Sequence, residues 1–278
     1  MFHARGFNVW PKLLLGLVKL CKARLTLRFV SAQTEPILTV LMRVSACKTT
    51  FVHMKTAVVL GASGLVGKAL VAALESDADY TAVHLLVRRA KGQNASKTTE
   101  HVVDFDEPSS YPSATVPDVV FCCLGTTIKK AGSQEAFERV DFGYVLAAAK
   151  HYRALGTAHF AVISAVGADS HSNIFYNKVK GRMEDALRQL GYPGLTIVRP
   201  SLLGGKRAEF RFGERVGLVA FGLLQWAFVG RLRRYRVVYD HQVAAAMVES
   251  AHRNQTGEAL LESEMLPPFA VAYRTRMA

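Results

Sequence analysis

The segment Lys55–Leu70, KTAVVLGASGLVGKAL, constrains the fold of this chain more than any other stretch. Thr56–Leu60 is a short run of β-branched and apolar residues, which is typical of a buried strand. A glycine-rich turn follows, and apolar residues with helical spacing begin directly after it. Strand, glycine turn and helix in this order predict the first unit of a sheet that binds a dinucleotide.

Three glycines stand three residues apart in this turn, and each has a physical role in such a site. Gly61 permits the tight turn, Gly64 lets a phosphate approach the backbone, and Gly67 lets helix and strand pack closely. Ser63 adds a hydroxyl, and the start of the helix offers unpaired N–H groups to a diphosphate. The alternative interpretation is a glycine-rich turn that binds no ligand.

The length and composition favour one domain with an extension over two domains. A chain of 278 residues, 50% of them hydrophobic, can bury one good core. We predict a domain over residues 54–278, in which residues 200–278 shape the substrate pocket. None of the four cysteines stands in a C-x-x-C pair, and no His or Cys spacing is typical of a metal site. We therefore expect no metal.

The net charge of +13 is concentrated in residues 1–53, which hold eight Lys or Arg and one acid, Glu35. A basic chain suits nucleic acid or an anionic membrane, but no basic stripe with interleaved aromatics follows, so we expect no nucleic-acid partner. We interpret residues 1–53 as a disordered leader or as upstream codons not normally translated, with Met54 as the start. This interpretation predicts a cytoplasmic protein. The alternative is a targeting segment that sends the protein to an organelle.

The second predicted strand, Thr81–Val87, bears on the choice of nucleotide. An acid at its end would accept a hydrogen bond from the adenosine ribose and select NAD. Arg88 and Arg89 stand there instead, and because guanidinium groups pair with phosphate they favour NADP(H) over NAD(H). The alternative is a solvated basic strand end. Asp104, near the end of the third predicted strand, Glu100–Phe105, either accepts from the adenine amino group or caps a loop.

The rest of the chain continues the alternation of strands and helices. The further predicted strands are Asp118–Leu124, His159–Ile163, Leu195–Val198 and a late strand at Ala259–Leu261. Gly125 follows the fourth strand and would let the chain pass close to the cofactor. The predicted helices include Ala136–Leu155, with Val140, Tyr144, Leu146 and Ala147 facing the sheet, and Asp240–Ala251, whereas the tail around Pro267 is expected to fray. This pattern predicts an α/β fold, a doubly wound parallel sheet of the Rossmann type with helices on both faces.

Three polar residues form a candidate catalytic group. Tyr176 and Lys180 stand four residues apart and share one helix face, and Ser164 follows the fifth strand. The lysine ammonium stabilises a neighbouring phenolate, and Ser164 can hold a substrate oxygen beside the Tyr176 hydroxyl. Hydride then passes between a nicotinamide and a carbonyl carbon while Tyr176 transfers the proton. Two alternatives stay open: a regulatory or assembly protein that binds the cofactor without turnover, and a nucleotide-sugar epimerase or dehydratase.

Val216–Gly230 is an uncharged segment that is too short to span a membrane comfortably. We interpret it as a buried helix or a lid over the substrate. The alternative is a peripheral membrane contact through residues 216–236, helped by the arginines that follow the apolar segment. The sequence indicates a small-molecule substrate without identifying it, and it does not indicate an oligomeric state.

These motifs resemble the short-chain dehydrogenase/reductase superfamily and, more narrowly, its atypical Tat-interacting-protein-like branch. The resemblance spans about residues 55–205. Its matching segments are VVLGASGLVGKAL, VVDF, FCCLGTTIKKAG, FERVDFGYVL, HFAVISAVGAD, YNKVKGRME and VRPSLLGG. FCCLGTT is the most specific of these, because many unrelated dehydrogenases share the glycine motif.

The resemblance implies an NADP(H)-binding oxidoreductase with Ser164, Tyr176 and Lys180 as its site triad. It implies that the cofactor is bound by Gly61, Ser63, Gly64, Leu65, Val66, Arg88, Leu124, Gly125, Thr126, Tyr176 and Lys180. Many members of the superfamily carry an asparagine on the helix after the fourth strand, which orients the lysine through water. This chain departs from that pattern, because Asp141 lies in that region.

Overall fold

The computed structural model of the protein describes residues 54–92, 95–204, 230–253 and 256–278. Within these residues, seven parallel strands form one sheet in the order β3-β2-β1-β4-β5-β6-β9. The strands of this sheet are β1 (Lys55–Leu60), β2 (Tyr80–Val87), β3 (Thr98–Val102), β4 (Val119–Cys122), β5 (His159–Ile163), β6 (Gly194–Arg199) and β9 (Gly257–Glu262). Two short strands, β7 (Leu203–Gly204) and β8 (Val238–Tyr239), form a separate parallel pair. The predicted doubly wound Rossmann-type sheet is confirmed.

Helices connect the strands. They are α1 (Leu65–Ser76), α2 (Ile128–Ala131), α3 (Gln134–Glu138), α4 (Val145–Ala154), α5 (Phe175–Gln189), α6 (Asp240–Arg253) and α7 (Leu266–Met277). A π-helical segment, Arg139–Tyr144, joins α3 directly to α4. Short 3-10 turns lie at Pro108–Ser110, Gly230–Tyr235 and Ser263–Met265.

The sheet separates two hydrophobic cores. Strand side chains alternate between the faces, so Val59 of β1 packs into one core and Leu60 into the other. Helices α1, α6 and α7 cover the first face, and α4 and α5 cover the second. Each fully buried leucine or valine of these cores contributes about 1.5–3 kcal/mol relative to an exposed one. The cores hold the sheet rigid, so its carboxyl edge can position side chains.

The long helix predicted over Ala136–Leu155 is interrupted, and the face predicted for it is wrong. The buried residues of α4 are Val145, Ala148, Ala149 and Tyr152, whereas those expected to face the sheet, Val140, Tyr144, Leu146 and Ala147, are only partly buried. The π-helical segment explains the difference, because each π turn takes in one residue more than an α turn and rotates the following face.

The chain end also differs from its prediction. Instead of fraying, Leu266–Met277 forms α7, and Leu266, Ala270 and Tyr273 are buried against the first core. The Tyr273 hydroxyl donates to the Ala73 carbonyl of α1 at 3.1 Å. The prolines favoured a frayed tail in the sequence, but they stand in the first turn of α7, where a missing N–H costs nothing.

Several predictions concern residues outside the described ranges. Residues 1–53 and most of Val216–Gly230 lie outside them, so the interpretations of the leader, the domain boundary at residue 54 and the apolar segment stay predictions. In the ranges that are described, no helix combines the length and the apolar character needed to cross a bilayer.

Candidate functional site

The predicted site residues gather at the carboxyl edge of the sheet. Strand register aligns Leu60 of β1 with both Leu86 of β2 and Cys122 of β4, and Cys122 in turn with Val162 of β5. The segments that follow these strands therefore emerge side by side. Between β1 and β4 the chain order reverses, and this switch point is where open α/β sheets bind ligands.

The turn after β1 is built around two glycines that accept no side chain. Gly61 has a φ of +78°, and a Cβ there would lie 2.5 Å from the carbonyl oxygen of Cys123. A Cβ at Gly67 would lie 2.1 Å from the carbonyl oxygen of Gly61. Both glycines are thus required by the close approach of β1, α1 and β4. Gly64 is less constrained: its φ of −74° is ordinary and it is exposed, but a Cβ there would lie 3.2 Å from the carbonyl oxygen of Gly61, so a side chain fits only with a small shift of the backbone.

The start of α1 fits an anionic ligand. No side chain caps its first N–H groups, and its first turn holds no acidic residue. Ser63 is exposed beside it, whereas Leu65 is half-buried and Val66 packs into the core. Uncapped amides at a helix start attract negative charge, so the residues present fit the diphosphate of a dinucleotide.

Arg88 and Arg89 directly follow β2 and are exposed. Neither forms an ion pair with another residue in the described part of the chain. Strand β3 ends at Val102, earlier than predicted, so Asp104 lies in the turn beyond it. The Asp106 N–H donates to Asp104 Oδ1 at 2.9 Å. This hydrogen bond is the loop-capping role that the sequence left open for Asp104, and its contact with adenine stays a prediction.

Lys180 and Asp141 form a buried ion pair, with 2.8 Å between Nζ and Oδ1 and side-chain exposures of 3% and 1%. Lys180 Nζ also donates to the Ile163 carbonyl at 3.4 Å, and the Thr126 N–H donates to Asp141 Oδ2 at 2.8 Å. Burial on its own lowers the pKa of the Lys180 amine. The Asp141 carboxylate and then Tyr176 raise it, and the net result is a pKa above the usual value.

The third predicted member of the group, Ser164, has its own buried partner. Ser164 Oγ donates to Glu184 Oε1 at 2.5 Å. Arg199 binds the same carboxylate with two N–H groups, at 2.9 and 2.6 Å, and this contact raises the pKa of Arg199. No hydrogen bond joins Ser164 to Tyr176 in the residues that the structure describes. The Tyr176 ring packs against Phe137 with 5.5 Å between centroids.

Sequence reasoning missed the roles of Glu184 and Arg199. Glu184 stands on the face of α5 that carries the buried residues Met183 and Leu187, and it is fully buried itself. A carboxylate within an apolar helical stripe indicates a buried cation nearby, and this was the available signal. Its partner could not be identified, because Arg199 comes from a strand fifteen residues later.

At the amino edge of the sheet, Asp77, Asp79 and His252 bring ligand-type atoms within 4.8 Å of one another. The ammonium of Lys55 lies 2.9 Å from His252 Nδ1 and supplies positive charge to this cluster. His252 Nε2 contacts Asp77 Oδ2 at 3.0 Å. The cluster thus joins β1, the turn before β2 and the end of α6. The expectation that the protein holds no metal stays a prediction.

Comparisons with known proteins bear on the same region. Residues 61–216 match a family model described as NAD(P)H-binding. The chain is 38% identical to Protein HTATIP2 of Rattus norvegicus over 179 residues, which are 62% of this chain and 74% of that protein. It is 33% identical to Protein FMP52, mitochondrial, of Candida albicans over 156 residues, or 54% of this chain and 68% of that protein.

Solved structures resemble the described fold at low sequence identity. ADP-L-glycero-D-manno-heptose-6-epimerase of Helicobacter pylori has a TM-score of 0.58 and 13% identity, over 82% of this chain and 84% of that one. A short-chain dehydrogenase/reductase superfamily protein of Agrobacterium tumefaciens with bound NAD has a TM-score of 0.55 and 17% identity, over 78% and 82%. At these identities the likeness shows the fold alone.

Proposed function

This chain belongs to the NAD(P)H-binding family, in an atypical branch of the short-chain dehydrogenase/reductase superfamily, and we propose that it is an NADP(H)-dependent oxidoreductase acting on a carbonyl or alcohol. The observation that carries the proposal is the buried amine of Lys180 at the carboxyl edge of the sheet. This amine forms an ion pair with Asp141, whose carboxylate accepts a hydrogen bond from the turn after β4, and it interacts electrostatically with Tyr176. Such an amine can serve a cofactor and a proton-transferring phenol together.

Tyr176 and Lys180 have different roles in the proposed reaction. A bound nicotinamide supplies or accepts the hydride. Tyr176 gives its proton to the substrate oxygen during reduction and takes it back during oxidation, and the ammonium of Lys180 stabilises the phenolate between these steps. The Lys180 ammonium pairs with Asp141 and donates one hydrogen bond to the Ile163 carbonyl, so of its three N–H donors at least one can serve a ribose hydroxyl.

The preference for NADP(H) is supported by charge at the end of β2. Arg88 and Arg89 are exposed there, and no acidic residue takes the position that would select NAD(H). Two guanidinium groups without ion-pair partners in the described ranges suit the 2′-phosphate. We further propose a small-molecule substrate, and the role of residues 200–278 in its pocket stays a prediction, because residues 205–229 lie outside the described ranges.

Catalysis is tested with Tyr176→Phe. We expect the unaltered chain to oxidise NADPH with at least one member of a panel of aldehydes and ketones. Removing the hydroxyl should lower kcat at least about 100-fold, because proton transfer contributes about this much, while NADPH affinity stays within about threefold. Full activity in Tyr176→Phe would exclude the proton-transfer role.

A second function is favoured by one specific observation. Because the Ser164 hydroxyl donates its hydrogen to buried Glu184, it does not offer that hydrogen to a substrate oxygen. A protein that binds NADP(H) as a regulatory ligand needs no such donor. Tight NADPH binding with no turnover across the whole panel would favour this function over the oxidoreductase. The epimerase alternative gains no support from the solved structures, because they show the fold alone.

We propose that residues 1–53 decide where the protein is located. Their basic, acid-poor composition and the mitochondrial label in the name of the Candida albicans relative support the organelle-targeted alternative over the cytoplasmic one. A fluorescent protein fused after residues 1–53 should then enter an organelle. Diffuse cytosolic fluorescence would instead support the cytoplasmic interpretation.

A further inference from the structure

Asp141 links three separate parts of the site. One carboxylate oxygen pairs with Lys180 on α5, and the other accepts from the Thr126 N–H in the turn after β4. A methyl group at Gly125 would lie 3.5 Å from Oδ1, so the carboxylate stands directly beside the backbone of this turn. The side chain is 1% exposed. Both oxygens are therefore committed to groups that belong to the predicted cofactor site.

The backbone around Asp141 is built for this contact. Asp141 lies within the π-helical segment Arg139–Tyr144, between two ordinary helices. A π turn carries one extra residue, is less stable than an α turn, and recurs at functional sites because it turns a chosen side chain to a new direction. Here the side chain so directed is a carboxylate, and it points at a buried amine.

The groups that face the Lys180 amine explain why a carboxylate is needed there. Besides Asp141, they are the Ile163 carbonyl of β5, the Cys122 thiol of β4 and the Tyr176 hydroxyl on the same helix. Burial raises the pKa of Cys122 to about 12, so this thiol carries no charge at neutral pH. Asp141 is thus the charged partner that offsets the cost of burying the ammonium, which is several kcal/mol for a lone ion.

We propose that Asp141 is a positioning residue of the cofactor site, which holds Lys180 charged and fixed against the turn after β4 so that the amine can bind the dinucleotide. The inference rests on the contact between Lys180 and the cofactor in the proposed function, and it does not require turnover. It assigns to Asp141 a direct ion pair with the lysine, and the carboxylate charge is the property that matters.

The test is a titration of NADPH against the full chain at several pH values, with Asp141→Asn as the variant. Asparagine has nearly the same shape, and its amide oxygen still accepts from Thr126. The Lys180 amine then remains buried without a counter-charge, and burial lowers its pKa, as in buried lysines that discharge near pH 5–6. We expect the variant to lose about tenfold in affinity per pH unit above that lowered pKa. The affinity of the unaltered chain should stay flat between about pH 7 and 9, where the 2′-phosphate, with a second pKa of about 6, is ionised throughout.

Two controls separate charge from shape. Asp141→Glu keeps the charge and should retain the flat pH profile. Asp106→Asn removes another carboxylate, which pairs with Arg139 of the same π-helical segment but does not contact Lys180, and it should also leave the profile flat. The inference is overturned if the NADPH affinity of Asp141→Asn is lower than that of the unaltered chain by the same factor at every pH. It is also overturned if this variant binds NADPH as tightly as the unaltered chain does.

A second measurement does not depend on the variant. Carbon-13 NMR of the lysine ε-carbons in the unaltered chain should show one amine that discharges only above the pH at which ordinary lysines do, about 10.4, in contrast to a buried lysine without a partner. Discharge of Lys180 below about pH 9 would contradict the proposal. If the unaltered chain does not bind NADPH, both the inference and the proposed function fail. Binding without turnover would reject only the oxidoreductase.

Discussion

Buried charges at the carboxyl edge are paired within the chain itself. Lys180 pairs with Asp141, and Arg199 pairs with Glu184, which also accepts from Ser164. Desolvating a lone charge costs several kcal/mol, so each pair fixes the position of both members. The residues that would meet a substrate or cofactor thus occupy positions set by other residues of the fold.

Arg88 and Arg89 allow a prediction about nucleotide choice. Replacing both by alanine should weaken NADPH binding by about 10- to 100-fold, because each charge-assisted hydrogen bond contributes about 1.5–3 kcal/mol. NADH binding should change by less than about threefold, since NADH lacks the 2′-phosphate. Fluorescence titration with both nucleotides measures the two constants in one preparation.

Arg274→Ala is the matched control, because it removes an exposed arginine from α7. It should leave both affinities unaltered. Equal losses for NADPH and NADH in the double variant, or no loss for either, would exclude Arg88 and Arg89 as the phosphate-binding pair.

Among the helices, α5 depends on a glycine that has no obvious function in the sequence. A Cβ at Gly181 would lie 2.1 Å from the Ser170 backbone nitrogen and 2.2 Å from the Asp169 carbonyl carbon. The loop after β5 therefore lies directly against α5, and the Asp169 N–H donates to the Asn177 carbonyl. This contact fixes the helix that carries Tyr176 and Lys180 relative to the end of β5.

Gly181→Ala should lower the free energy of unfolding by about 2–3 kcal/mol, because backbone atoms cannot move aside as a flexible side chain would. Alanine in a helix otherwise stabilises by about 0.5–1 kcal/mol relative to glycine. Gly143→Ala is the matched control, since its nearest atom, the Glu138 carbonyl oxygen, would be 4.0 Å away. It should be neutral or stabilising. Urea unfolding of both variants measures the difference, and equal effects would contradict the packing assigned to Gly181.

Strands and helices differed in how well the sequence predicted them. Strand β5 was predicted with its observed ends, because parallel strands buried on both faces form continuous apolar runs bounded by polar residues. The π-helical segment was not predicted, since hydrophobic periodicity does not register one extra residue in a turn. The same shift explains why the buried face predicted for α4 was wrong.

For the molecule as a whole, the glycine motif and the alternation of elements were enough to predict the Rossmann-type sheet. They also placed Gly61, Arg88, Ser164 and Lys180 at one edge, because parallel strands end together. The pairing of Ser164 with Glu184 could not be predicted. That pairing depends on how α5 rotates against β5 and β6, and helix rotation is decided by packing rather than by local spacing.

The central claim is that the uncapped start of α1 binds the diphosphate of NADP(H), and Gly64→Asp tests it most directly. Gly64 is the N-cap of α1 with an ordinary φ, and aspartate is a preferred N-cap residue. Its Cβ would lie 3.2 Å from the Gly61 carbonyl oxygen, so the gain from capping is offset by a small backbone shift, and the melting temperature should change by less than about 5 °C. The added carboxylate would occupy and repel the phosphate, and NADPH affinity should fall at least about 100-fold, or about 2.7 kcal/mol. A stable variant that binds NADPH as tightly as the unaltered chain would contradict the account.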